Sequence, residues 1–127
     1  MKVLLLLSTF LLMNFNNSFS NDKEKNLVQK QVRATYYASK FVGRKTSSGQ
    51  VYTHDKFTAA HKTLPFGTEV TVVNPKNGKS VVVVVNDRGP FGKGLAIDLS
   101  QSAAKEIGIM GQGIATVEIS YSLPEVE

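Results

Sequence analysis

The spacing of apolar and polar positions changes several times along the chain. Val3 to Met13 is an apolar run broken only by Ser8 and Thr9. Val32 to Ala38, rich in Thr and Tyr, predicts a strand. Thr68 to Asn74 alternates, carries β-branched residues and predicts another. Ser80 to Asn86 contains five consecutive valines, Val81 to Val85. A run without alternation predicts a strand covered on both faces. Between these two strands lies Asn77-Gly78, a pair that tolerates positive φ, so the segments are expected to form a hairpin. Ala115 to Ser120 alternates again and predicts a last strand. One helix is expected. Ser100 can cap it, Ala103, Ala104 and Ile107 make one apolar stripe, and Gly108 can end it in the left-handed conformation. Ile97 is expected in a short strand just before the cap. Several short strands with one helix suggest a small closed β-barrel.

The ends of the chain read differently. Lys2 precedes the apolar run, and the small residues Ser18 and Ser20 stand at −3 and −1 before Asn21. This is the layout of a secretory signal peptide over residues 1–20. The run falls short of the roughly 20 apolar residues that cross a bilayer, so cleavage is expected rather than a stable membrane anchor. Residues 21–31 are polar without period and are expected to form a flexible leader. Residues 32–123 then make one domain and residues 124–127 a short tail.

Composition narrows the possibilities. The chain has 127 residues, enough for one core, and no cysteine. Disulfides, thiolate metal sites and lipid attachment through a cysteine are therefore excluded. With only His54 and His61 available, neither metal nor cofactor is expected. The net charge of +5 favours polyanionic surroundings. For an exported protein these are wall polymers and membrane surfaces rather than nucleic acid. The charges are dispersed, and an ordinary solvated surface explains them equally well. A periplasmic or extracellular, wall-associated monomer is expected.

Few residues carry candidate chemistry. Asp87 follows the valine strand directly, where a strand end delivers a side chain to a rim. A partly desolvated carboxyl there can act as an acid. Arg88 offers a planar fork for a carboxylate or a substrate oxygen. The alternative is a structural Asp87–Arg88 ion pair that fixes the Gly89-Pro90 turn. His61 lies in a small apolar stretch and reads as a hydrogen-bonded core residue, and His54 reads as surface. Gly43 to Gly49 is a polar loop without the order of a phosphate-binding loop, which argues against nucleotide binding. Tyr36 and Tyr37 face opposite ways on a strand, so at least one of them packs.

Read together, these segments resemble the RlpA family. Ala34-Thr35-Tyr36-Tyr37 is similar to its opening motif, and Gly43-Arg44-Lys45-Thr46-Ser47-Ser48-Gly49 to its Gly-Arg-x-Thr-Ala-x-Gly loop. Thr58 to Thr68, Asn86-Asp87-Arg88-Gly89-Pro90-Phe91 and Ile97-Asp98-Leu99-Ser100 follow in the family's order. The resemblance implies a mainly β fold, a six-stranded double-psi β-barrel with one or two short helices. It implies a peptidoglycan lytic transglycosylase. Such an enzyme cuts between N-acetylmuramic acid and N-acetylglucosamine, with the muramic 6-hydroxyl attacking to leave a 1,6-anhydro end. By motif, Asp87 is the expected acid/base and His61 its companion. Tyr37, Thr46, Gln50, Arg88 and Asp98 are expected to bind substrate. Gln50 stands where the family has glutamate, and an amide cannot transfer a proton as a carboxyl does. Attenuated catalysis is therefore expected. So, as the alternative, is an expansin-like protein that binds and loosens wall glycan without cutting it. Many relatives also carry a lipid-bearing cysteine and a glycan-binding repeat domain, which this sequence is not expected to share.

Overall fold

A computed structural model describes residues 26–124. The expected signal peptide, the first part of the leader and the last three tail residues lie outside the described residues. One compact unit spans Val28–Tyr121. Of the described residues, 26–27 and 122–124 fall in a second unit, within which the Leu123 N–H donates to the Asn26 carbonyl at 3.0 Å.

The main unit is built on six strands: β1 (Leu27–Tyr36), β2 (Thr58–His61), β3 (Glu69–Val73), β4 (Ser80–Asp87), β5 (Ile97–Leu99) and β6 (Ala115–Ser122). They close into a barrel in the order β1-β5-β2-β4-β3-β6. Closure leaves no strand edge unpaired. Two neighbouring pairs, β1 with β5 and β2 with β4, run parallel, which short hairpins cannot join. The crossovers are supplied by the long segment between β1 and β2, which carries a short 3-10 turn at Ser39–Phe41, by the one α-helix among the described residues, α1 (Gln101–Glu106), and by the loops around them. This is the mainly β, double-psi barrel that the motifs imply, with α1 as its α-helix.

The β3–β4 hairpin forms as expected, with Val73 opposite Ser80 and Gly78 at φ +74°. Its turn reaches the helix end. Asn74 Nδ2 and Asn77 Nδ2 both donate to the Ile107 carbonyl, at 2.8 and 3.1 Å. This satisfies an acceptor that a helix C-terminus leaves open. Ser100 Oγ accepts from the Ala103 N–H at 3.4 Å, and Gly108 follows the helix at φ +74°, as the sequence predicts.

Three expectations change. β1 begins at Leu27, so residues 27–31 are strand rather than leader. Leu27 and Val28 run into the polar Gln29, Lys30 and Gln31, so no period marks the strand, and of these five only Val28 is half-buried. β2 was not predicted as a strand. Thr-Ala-Ala-His has little β propensity, and β4 and β5 on either side impose its conformation. The valine run is not covered on both faces. Val81, Val83 and Val85 are buried, while Val82 and Val84 face outward at 48% and 37% exposure. β-branched residues also favour an outer strand position, so the run concealed an ordinary alternation.

Candidate functional site

β2 divides two apolar clusters. Ala59 faces the main core inside the barrel, and Ala60 faces a smaller cluster with Tyr37 and Tyr52, against which Phe41 packs. The second cluster is roofed by the segment that leaves β1. The Tyr37 and Tyr52 rings stack with centroids 4.2 Å apart and 10° between their planes.

The backbone then aligns the polar groups. Ala59 pairs with Val85, but Ala60 pairs with Asp87, so the β2–β4 ladder skips Asn86. This is a bulge, which inserts one residue and re-aims the next. Two partners take the extra residue's carbonyl: Thr46 Oγ1 donates at 2.7 Å and the Ser48 N–H at 3.3 Å. On the other side Ala60 pairs with Asp98, which in turn pairs with Thr35. Thr35, Asp98, Ala60 and Asp87 thus form one row across four strands. Ala60, Asp87 and Asp98 open into a cleft of about 310 Å³, lined also by Tyr37, Phe41, Arg88, Gly89, Pro90 and Phe91.

Asp87 is held by donors on both oxygens. Oδ1 accepts the Ser47 N–H at 2.8 Å and the Arg88 N–H at 2.9 Å, and Oδ2 accepts the Tyr37 hydroxyl at 2.5 Å. Burial pushes the Asp87 carboxyl up, but these hydrogen bonds outweigh it and leave the group below its usual range. Tyr37 is pushed far up by burial and then by the adjoining carboxylate, so it keeps its proton and remains a donor. Asp98 behaves oppositely. Burial raises its carboxyl to about 6, the Thr35 hydroxyl offsets part of the rise, and the charge on Asp87 adds to it.

Arg88 resolves the choice between an ion pair and a separate role. Its Nη1 donates to the carbonyls of His61 and Leu64, at 3.2 and 2.8 Å, and its guanidinium lies 4.0 Å over the Phe66 ring. It meets Asp87 only through its own N–H, so the alternative, a structural Asp87–Arg88 ion pair, does not form among the described residues.

The cleft therefore gathers Asp87, Arg88, Tyr37 and Asp98. Thr46 stands behind it as a support for the bulge. Exposed Gln50 lines a neighbouring groove with Lys56, Phe57 and Val84, and its Oε1 accepts from Asn86 Nδ2 at 3.1 Å. His61 Nδ1 accepts from the Thr63 and Leu64 N–H groups, each at 3.2 Å, and its ring meets Tyr121 edge-on. Burial, then the charges of Lys30, Arg88 and Lys62, hold this imidazole below its usual value and keep it neutral. Among the described residues its ring makes no hydrogen bond to Asp87. His54 is not plain surface: its Nδ1 lies 2.7 Å from the Tyr52 hydroxyl and its Nε2 is buried. Ala60, Phe41 and Phe91 escaped the sequence reading. Phe91, 85% exposed beside the cleft, was part of a recognised motif and the signal was there. Ala60 also lies within a motif, Thr58 to Thr68, whereas Phe41 lies in none. No group of three or more potential ligands that could hold a metal occurs among the described residues.

The family described as lytic transglycolase, with its double-psi barrel, matches residues 29–119. The chain belongs to the RlpA family. It is 54% identical over 86 residues to the endolytic peptidoglycan transglycosylase RlpA of Pasteurella multocida, covering 68% of this chain and 29% of that one. It is 53% identical over 91 residues to that of Neisseria meningitidis, covering 72% of this chain and 38% of that one. The chain thus spans well under half the length of these RlpA relatives. Among solved structures, an expansin from Clavibacter michiganensis matches at TM-score 0.61 and 22% identity, over 79% of this chain and 53% of that one. A papain inhibitor from Streptomyces matches at TM-score 0.60 and 22% identity, over 76% of this chain and 96% of that one. At such identities these two share the barrel fold alone with this chain.

Proposed function

We propose that the protein is an endo-acting lytic transglycosylase of peptidoglycan. It cleaves the bond between N-acetylmuramic acid and N-acetylglucosamine and leaves 1,6-anhydro ends. The single observation that carries this reading is Asp87, held ionised at the edge of an open cleft flanked by Phe41 and Phe91. A fixed carboxylate suits a reaction that builds positive charge on the sugar ring and releases a proton from an attacking hydroxyl. The aromatic rims suit the apolar faces of sugar rings. The names of the RlpA relatives support the same substrate. The apolar run behind Lys2 supports export to the wall.

Incubation with purified glycan strands, with and without stem peptides, tests the proposal. Release of 1,6-anhydro ends that stops in Asp87→Asn is the expected result. Binding without product, unchanged by that substitution, favours the second reading, a non-catalytic expansin-like protein. That reading draws on Gln50, an amide where the family supplies a carboxyl.

A further inference from the structure

Asp87 and Asp98 occupy one row with a single small residue between them. Ala60 pairs with both, so their Cα atoms lie two strand spacings apart, roughly 9–10 Å. The Ala60 side chain is one methyl group and leaves the space between the carboxyls to the cleft. The two groups are provisioned differently. Asp87 has donors on both oxygens: Oδ1 accepts two, while Oδ2 accepts one and keeps a lone pair for an incoming proton. Asp98 accepts one hydroxyl, from Thr35 to Oδ1 at 3.0 Å, and among the described residues no donor meets Oδ2.

We propose that Asp98 supplies the proton to the leaving glycosidic oxygen while Asp87 receives the proton of the attacking hydroxyl. This division of labour rests on the transglycosylase reading and assigns its two proton transfers to separate groups. The carboxyl proton of Asp98 moves to the bridging oxygen as the bond from C1 to that oxygen breaks, and the bonding pair goes to the oxygen. The muramic 6-hydroxyl oxygen bonds to C1, and its proton passes to Asp87. The product leaves Asp98 ionised and Asp87 protonated, and exchange with solvent restores both. No water is consumed. The environments agree with the assignment, since burial holds Asp98 protonated up to about 6 while Asp87 stays ionised.

Two measurements test it. Carbon-13 NMR titration of the side-chain carboxyls in the wild-type protein is expected to show Asp98 losing its proton at a higher pH than Asp87. The reverse order overturns the assignment, whatever the activity. The second uses two substrates: glycan strands, and a 4-nitrophenyl glycoside of N-acetylmuramic acid whose leaving group needs no protonation. Asp98→Asn is expected to lose on the order of 10²–10⁴-fold on glycan strands, and to keep the aryl glycoside within about tenfold of wild type. Asp87→Asn is expected to lose both. An active wild type with Asp98→Asn equally active on glycan strands overturns this assignment alone. A wild type inert toward both substrates overturns the transglycosylase reading and this assignment with it.

Discussion

The Tyr37 hydroxyl donates to Asp87 Oδ2 at 2.5 Å, while its ring stacks on Tyr52. One side chain thus fixes the carboxylate and ties it to the cluster outside the barrel. Tyr37→Phe keeps the stack and removes the donor. The Asp87 carboxyl then rises, because that hydrogen bond is the largest of those holding it down. The acidic limb of the kcat/KM profile is expected to move to higher pH. A loss of about 1.5 kcal/mol, the lower end for a hydrogen bond to a charged group, gives roughly a tenfold fall in kcat/KM. An unmoved acidic limb rules out Asp87 as the group that must be ionised.

Asp98 makes the fold sensitive to pH in a particular direction. Its folded-state value is raised to about 6 from the ordinary 3.8, so between these values the folded chain binds more protons than the unfolded one. Stability from this group therefore falls as pH rises through that window, and the penalty is complete above about 6. The gap corresponds to an upper limit of roughly 3 kcal/mol. Asp98→Asn is expected to melt higher than wild type at pH 7 and equally at pH 3. Melting curves at the two pH values check both halves. A variant less stable at pH 7 means that the ionised carboxylate is well satisfied.

Arg88 belongs to the scaffold as much as to the cleft. It bridges the carbonyls of His61 and Leu64 and covers Phe66. Arg88→Ala is expected to cost about 1–3 kcal/mol by leaving those acceptors unpaired. For a domain of this size each kcal/mol lowers Tm by about 4–8 °C. Arg88→Lys restores the charge but not the planar fork, so it is expected to recover only part of the loss. Full recovery by lysine shows that charge alone is needed there.

Gln50 is exposed and bonded through Oε1 to Asn86. Glutamate keeps that acceptor, so Gln50→Glu is expected to change stability by less than about 0.5 kcal/mol. Turnover on glycan strands is expected to rise, by up to about 10²-fold if the carboxyl joins a proton transfer. An unchanged rate shows that position 50 acts only by holding Asn86.

Much of the barrel was legible in the residues. The Asn77-Gly78 hairpin, the Ser100 cap and the Gly108 stop each follow from local chemistry, and each stands where the sequence places it. β2 was not legible, because alanines become a strand only between neighbours that demand one. Motifs brought Asp87, Tyr37, Arg88 and Asp98 to attention, and the structure sets all four around one cleft. What the sequence withheld was their relation. The skipped residue Asn86 is set by pairing with distant Ala59 and Ala60, and no local pattern reports it. Likewise, the separate fates of two aspartates depend on donors from Ser47, Tyr37 and Thr35, far away in the chain.

The row of Thr35, Asp98, Ala60 and Asp87 draws one residue from each of four strands. No two neighbours in the row are consecutive strands of the polypeptide, so no hairpin sets two of its members side by side, and the row forms only once β1, β5, β2 and β4 have paired. Pairings of such long range form late and slowly. For the proposed activity this is a built-in safety catch: the two carboxyls face each other across Ala60 only after four strands distant in sequence have paired.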